Sequence, residues 1–183
     1  MVVFLTSAIA LGIVFLYGCV GDILTEKAGH LNLGIPGVMS VGAAGGCLGI
    51  SLYMGGLSDT ANANYFLVLL SGVLMSALFS AALGAVYSFL TVSLRCNQNV
   101  TGLAITTFGV GMTMFLMESV IDRTYFAAAS TYITRSLPFA DNLGWFGEIF
   151  LSHGILVYLG IAVALISGWV LNRTRVGLHL RAV

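Results

Sequence analysis

The sequence predicts an all-α fold, a polytopic membrane helix bundle with about five transmembrane helices in its 183 residues. Three observations carry that expectation. Mean hydropathy is +1.02. Charged residues make up 8% of the chain, where a soluble domain carries roughly 25%. The few charges also leave long uncharged stretches, from Met1 to Gly21, Ala28 to Ser58, Thr60 to Leu94, Cys96 to Met117 and Ile149 to Asn172. A helix needs about 20 apolar residues to cross the hydrocarbon core, so each stretch can hold one crossing. One transmembrane domain is expected over residues 1–183.

The first span is placed at 2–20. No Lys or Arg precedes its apolar run and no small-residue cleavage site follows, so it reads as a span and not as a removed leader. The stretch from Gly21 to Gly37 then gathers Asp22, Glu26, Lys27, His30 and Asn32 among four glycines. Backbone that leaves the helix near a bilayer must be buried in protein or face water. This elbow therefore reads either as part of a polar path or as an ordinary inter-helix loop.

The second span is expected at 35–55 and the third at 65–92. The third is too long for one upright crossing and too short for two, so tilt or protrusion is expected. Small residues recur every four positions on it, at Gly72, Ser76, Ser80, Gly84 and Ser88. Gly42 and Gly46 repeat the pattern on the second span, and Gly160 and Gly168 on the last. Such rows let helix backbones approach closely in lipid, so all nine positions are helix-packing candidates.

The fourth span, 101–120, opens on the carboxamides Asn97, Gln98 and Asn99, followed by Thr101, Thr106 and Thr107. Amides and hydroxyls offer donors and acceptors without the cost of a buried charge, which suits a neutral, hydroxyl-rich solute. Local explanations compete: Asn99 as a helix cap, and Thr106 bonded to its own backbone. An outer loop at 121–148 holds Asp122, Arg123, Arg135, Pro138, Asp141 and Trp145 among aromatics. It reads as an interfacial anchor or a docking surface, and its length calls for a short helix or re-entrant piece. The fifth span is placed at 152–171, followed by a tail at 172–183.

Basic residues set the orientation. With the C-terminus in the cytoplasm, Lys27, Arg95, Arg173, Arg175 and Arg181 lie inside and only Arg123 and Arg135 outside. That satisfies the positive-inside rule and puts the N-terminus outside. Net charge is zero, so a nucleic-acid partner is not implied. Cys19, Cys47 and Cys96 form neither a disulfide framework nor a metal motif, and the three histidines are dispersed. No phosphate-binding loop, nucleophile elbow or paired-histidine motif occurs, so neither enzyme chemistry, a metal nor a cofactor is expected.

Three ordered motifs carry a family resemblance. The elbow holds Gly21, Glu26, Lys27, Gly29, Asn32, Leu33, Gly34 and Gly37, followed by Gly42-Ala43-Ala44; the second motif runs Asn99-Val-Thr-Gly-Leu-Ala-Ile-Thr-Thr-Phe-Gly109; the third runs Thr174-Arg-Val-Gly-Leu-His-Leu-Arg-Ala-Val183. Together they resemble the membrane subunits of ABC importers for nucleosides and simple sugars, relatives of ribose and branched-chain amino-acid permeases. Pro36 stands where such permeases commonly carry Glu, so no role is carried over to that position. Family members continue past the third motif, so the chain reads as about half to two thirds of a permease.

The resemblance implies a multi-pass protein of a bacterial-type cell membrane. Two permease chains, the same or homologous, form the pathway. Cytoplasmic ABC ATPase subunits drive alternating access, and an extracytoplasmic solute-binding protein delivers solute. The permease itself contributes no catalytic residue. Candidates for the substrate path or inner gate are Glu26, Asn32, Gly34, Gly37, Asn97, Gln98, Asn99, Thr101, Thr106 and Thr107. Candidates for ATPase coupling are Arg173, Arg175, Gly177, His179 and Arg181, with Gly177 expected to make a turn; positive-inside anchoring would explain the same cluster. A branched-chain amino-acid permease and a non-transporting scaffold or remnant stand as alternatives. A zwitterionic solute would favour charged or helix-terminus groups lining the path, whereas this chain offers mainly amides and hydroxyls.

Overall fold

The computed structural model describes residues 2–57, 63–134, 150, 152–175 and 177–178. They form helices α1 (Val2–Lys27), α2 (Ile35–Gly55), α3 (Tyr65–Ser88), α4 (Gln98–Ser119), α5 (Phe126–Ile133) and α6 (Ile155–Arg173). A π-helical turn, Phe89–Ser93, extends α3, and a 3-10 turn, Arg123–Tyr125, leads into α5. No strand occurs among the described residues. Five of these helices are long and apolar enough to cross a membrane, which is the all-α bundle expected.

The helix ends show where local chemistry moved the expected boundaries. α1 continues to Lys27, seven residues past the expected end, because only Gly29 breaks it. Gly29 is left-handed (φ 79°), the His30 N–H donates to the Thr25 carbonyl at 3.1 Å and the Gly29 N–H to Glu26 at 3.0 Å. That pair of bonds satisfies the last carbonyls of the helix around a residue without a Cβ. Asp22, Glu26 and Lys27 are therefore helical, and the elbow is confined to residues 28–34.

At α4 the cap is Asn97, not Asn99. Asn97 Oδ1 accepts from the Asn99 and Val100 N–H groups at 3.0 and 3.3 Å, so the helix starts three residues earlier than expected. Asn64 caps α3 the same way through the Phe66 N–H, at 3.0 Å. The short helix expected in the outer loop is α5. Its entry is fixed by Asp122, whose carboxylate accepts from the Thr124 N–H and hydroxyl at 2.9 and 2.7 Å. These two bonds hold the carboxyl below its usual titration range. Arg135, Pro138, Asp141 and Trp145 lie outside the described residues.

The chain divides into two compact units. The first comprises Met1–His30 with Ile133–Val183, the second Leu31–Tyr132. In the first, α1 packs on α6. The Tyr17 ring lies over Gly160, where an added Cβ would be 2.9 Å from it, and its hydroxyl donates to the Leu156 carbonyl at 2.7 Å. In the second, α2 packs on both α3 and α4. Its core holds Val41, Leu83, Tyr87 and Ile105, with Ala44, Leu116 and Ile121 in a second cluster.

Glycines on α2 set the distance to α3. A Cβ at Gly42 would collide with Ser80 Oγ, one at Gly45 would lie 2.7 Å from Phe79 Cβ, and one at Gly49 2.5 Å from the Ser71 carbonyl oxygen. Gly46 faces the Gly72 carbonyl at 3.3 Å and Ser76 Cβ at 3.5 Å. The small-residue row on α3 thus meets α2 at Gly72, Ser76 and Ser80, and there it ends. Gly84 has nothing within 4 Å of an added Cβ and Ser88 is exposed, so neither takes part in the contact with α2. Each step of four residues turns about 40° around a helix. Four such steps turn through about 160°, so the row cannot face one partner throughout, and Leu83 and Tyr87 take over the buried side. The same drift leaves Gly168 in open space while Gly160 is covered.

Candidate functional site

The segment Leu31–Gly34 and the first turns of α4 are bound together by hydrogen bonds from both sides. The Leu31 N–H donates to Gln98 Oε1 at 3.1 Å, and the Leu31 carbonyl accepts from the Tyr87 hydroxyl at 3.0 Å. The Leu33 carbonyl accepts from the Thr106 hydroxyl at 2.7 Å. Asn32 turns inward, and its Oδ1 accepts from the Gly34 N–H at 2.9 Å. This Asx-type turn aims the chain into α2, where Pro36 sits in the first turn and sacrifices no helix bond.

Beneath these bonds the backbones touch. A Cβ on Gly102 would lie 2.9 Å from the Leu33 nitrogen and 3.0 Å from that of Gly34. One on Gly37 would lie 2.5 Å from the Ile105 carbonyl oxygen and 2.6 Å from Thr106 Cα. Seven residues separate Gly102 from Gly109, two helical turns, so both glycines face the same neighbour. Buried Thr101, Gly102, Ile105 and Gly109 make this face of α4.

The ten path candidates therefore separate by environment. Asn32, Gly34, Gly37, Gln98 and Thr106 are tied into this contact, and Thr101 is buried on the same helix face. Asn97 is spent on the helix cap, although its side chain is exposed. Thr107, and not Thr106, bonds its own helix, donating to the Leu103 carbonyl at 2.5 Å. Asn99 and Thr107 remain exposed on α4. Glu26 is exposed in the last turn of α1, in the other compact unit.

Three participants were not singled out from the sequence. Gly102 carries one signal, its two-turn spacing from Gly109. Tyr87 reaches Leu31 across 56 positions of sequence and leaves no local trace. Leu33 acts through its carbonyl, to which its side chain is irrelevant.

At the other candidate site, α6 ends at Arg173 and Thr174 leaves the helix in extended conformation. Thr174 Oγ1 donates to the Val170 carbonyl at 2.7 Å and accepts from the Gly177 N–H at 3.3 Å. The Leu178 N–H returns to the Thr174 carbonyl at 3.1 Å. Gly177 is buried against the end of α6, where an added Cβ would lie 2.5 Å from the Val170 oxygen and collide with that of Leu171. The turn expected at Gly177 is thus a fold-back onto the helix end. Arg173 and Arg175 are exposed beside it; His179 and Arg181 lie outside the described residues. Among the described residues, no group of His, Cys, Asp or Glu could hold a metal ion.

Comparison with known proteins gives the same picture at family level. A family model described as the permease component of branched-chain amino acid transport systems matches residues 2–183. The chain is 28% identical over 179 residues to a putative glucose ABC transporter permease protein, TsgC13, of Haloferax volcanii, covering 98% of this chain and 50% of that one. It is 27% identical over 169 residues to the nucleoside ABC transporter permease protein NupC of Lactococcus lactis, covering 92% and 51%. Identity is 29% over 168 residues with the guanosine ABC transporter permease protein NupQ of Bacillus subtilis, covering 89% and 50%. The chain thus spans about half the length of these curated relatives. No solved structure matches it.

Proposed function

The chain belongs to the family of branched-chain amino acid transport permease components, and from that premise we propose that it forms part of the membrane pathway of an ATP-driven ABC importer. Its solutes are nucleosides or related simple sugars. The observation that carries this is the set of relatives: two are named nucleoside or guanosine permeases and the third a glucose permease. The exposed side chains left on α4, Asn99 and Thr107, support a neutral, hydroxyl-bearing solute, since they offer amide and hydroxyl groups and no charge. An amino-acid zwitterion would be better served by ionic partners.

In this reading the chain does no chemistry. Separate cytoplasmic subunits hydrolyse ATP, a second permease chain completes the pathway, and an extracytoplasmic binding protein delivers the solute. The N-terminus lies outside and the C-terminus in the cytoplasm, following the distribution of basic residues. Exposed Arg173 and Arg175, held beside the Gly177 fold-back, are the first part of the ATPase contact.

The test is uptake by the complete importer reconstituted in vesicles with ATP inside. Labelled guanosine, glucose and leucine are offered separately. ATP-dependent accumulation of guanosine or glucose, and not of leucine, is the expected result. Accumulation of leucine alone makes the chain an amino-acid permease, and accumulation of none leaves it a scaffold.

A further inference from the structure

We propose that the contact between Leu31–Gly37 and the first turns of α4 is a permanent clasp, and that the moving inner gate of the importer lies elsewhere. The inference rests on the importer reading and deepens it by removing most of the obvious gate candidates. A gate must break and re-form its contacts in every cycle, whereas this contact is built so that breaking it is costly.

Parting the two elements takes Gln98 from the Leu31 N–H and Thr106 from the Leu33 carbonyl, while Tyr87 of α3 keeps its bond to the Leu31 carbonyl. Both of these bonds are exposed, so the larger cost lies in the packing beneath them. Parting them also breaks the backbone contacts of Gly102 with Leu33 and Gly34 and of Gly37 with Ile105 and Thr106, where no side chain intervenes that could swing aside. Interfaces of this kind move as a unit; conformational change concentrates where few contacts cross. Side-chain amides and hydroxyls that look like a polar path in the sequence are consumed here in holding backbone.

A reversible cross-link decides the matter. A Cβ at Gly34 lies 3.4 Å from Ile105 Cβ, close to the roughly 3.5–4.5 Å a disulfide spans, and Gly34 has ordinary helical backbone (φ −85°). Gly34→Cys with Ile105→Cys is introduced into the full importer after Cys19, Cys47 and Cys96 are replaced. A clasp predicts that the oxidised importer transports within about twofold of the reduced one. Loss of transport on oxidation with recovery on reduction overturns the proposal.

Should the double variant fail to assemble, Thr106→Val removes only the hydroxyl. The clasp then predicts lower thermal stability with an unchanged KM, and a raised KM at unchanged stability overturns it. Should the cysteine-free parent import neither nucleoside nor sugar, the importer reading has failed. Disulfide formation then tests the clasp alone: equal rates with and without trapped ATP support it, and a rate that falls on ATP binding refutes it.

Discussion

Gly37 and Gly109 meet backbone to backbone. A Cβ on Gly109 would lie 2.5 Å from the Gly37 carbonyl oxygen and 2.7 Å from its Cα. Neither contact can be relieved by turning a side chain, so Gly109→Ala should destabilise the protein by at least about 2 kcal/mol, the range of core overpacking. Gly84→Ala is the matched control. Nothing lies within 4 Å of its new methyl, and helix propensity should add up to about 1 kcal/mol. Thermal unfolding of the two variants in the same detergent checks the pair, and equal stabilities would remove the close crossing of α2 and α4.

Tyr87→Phe isolates a single hydrogen bond. The ring is buried with Val41, Leu83 and Ile105, and phenylalanine keeps that packing while the Leu31 carbonyl loses its donor. A loss of about 1 kcal/mol is expected. Hydrogen exchange should be faster at the Leu31 and Gly34 amides and unaltered in the N-terminal half of α1.

Thr113→Val should act in the opposite direction. Thr113 Oγ1 is buried on α4 without a hydrogen-bond partner. Valine has nearly the same shape and leaves no polar atom to desolvate, so a gain of about 1 kcal/mol is expected. A fall in melting temperature would show that the hydroxyl has a partner in the assembled membrane complex.

The spans were legible because charge is so scarce. Twenty or more uncharged residues in a row have few other fates, and α2 begins and ends where hydropathy and Pro36 place it. The ends of α1 and α4 were misjudged for a different reason: Glu26 and Gln98 are good helix formers, and polarity marks the membrane edge, not the helix end. The small-residue rows were legible in composition and ambiguous in direction. Gly72 and Gly84 look alike in sequence, and only the azimuth of α2 against α3 distinguishes them. Which of the candidate path residues would come together at one contact was not readable. Whether Thr106 bonds its own helix or Leu33 depends on a segment 73 positions away.

Asp122 gives the corner between α4 and α5 a pH dependence. Its carboxylate accepts two hydrogen bonds from Thr124, its pKa is lowered by them, and its carbonyl accepts from the Ser51 hydroxyl at 3.3 Å. The depressed folded-state pKa means the stabilisation is present above the usual aspartate value near about 4 and is lost as pH falls through the lower folded value. Exchange of the Thr124 amide should accelerate over that acid range, once corrected for intrinsic chemistry. Asp122→Asn should abolish the dependence; a profile identical to that of the parent would assign it to another group. The carboxylate is fully exposed, so the effect stays local to residues 122–126.

Gly177 tests the link between the helix end and the proposed ATPase contact. Its N–H reaches Thr174 Oγ1, and its bare Cα fits against the last carbonyls of α6. Alanine at this position would drive a methyl into the Val170 and Leu171 oxygens, so Gly177→Ala should peel the segment from the helix while α6 itself remains. Arg173 and Arg175 would keep their charge and lose their fixed placement. If placement matters, Gly177→Ala should cut ATP-dependent uptake by about tenfold or more while the membrane level of the protein holds, and Arg175→Glu should do the same. Were membrane anchoring the sole role of the arginines, Gly177→Ala would leave uptake intact, because it alters no charge. Uptake and membrane-inserted protein, measured together on the two variants, separate a docking surface from a positive-inside anchor.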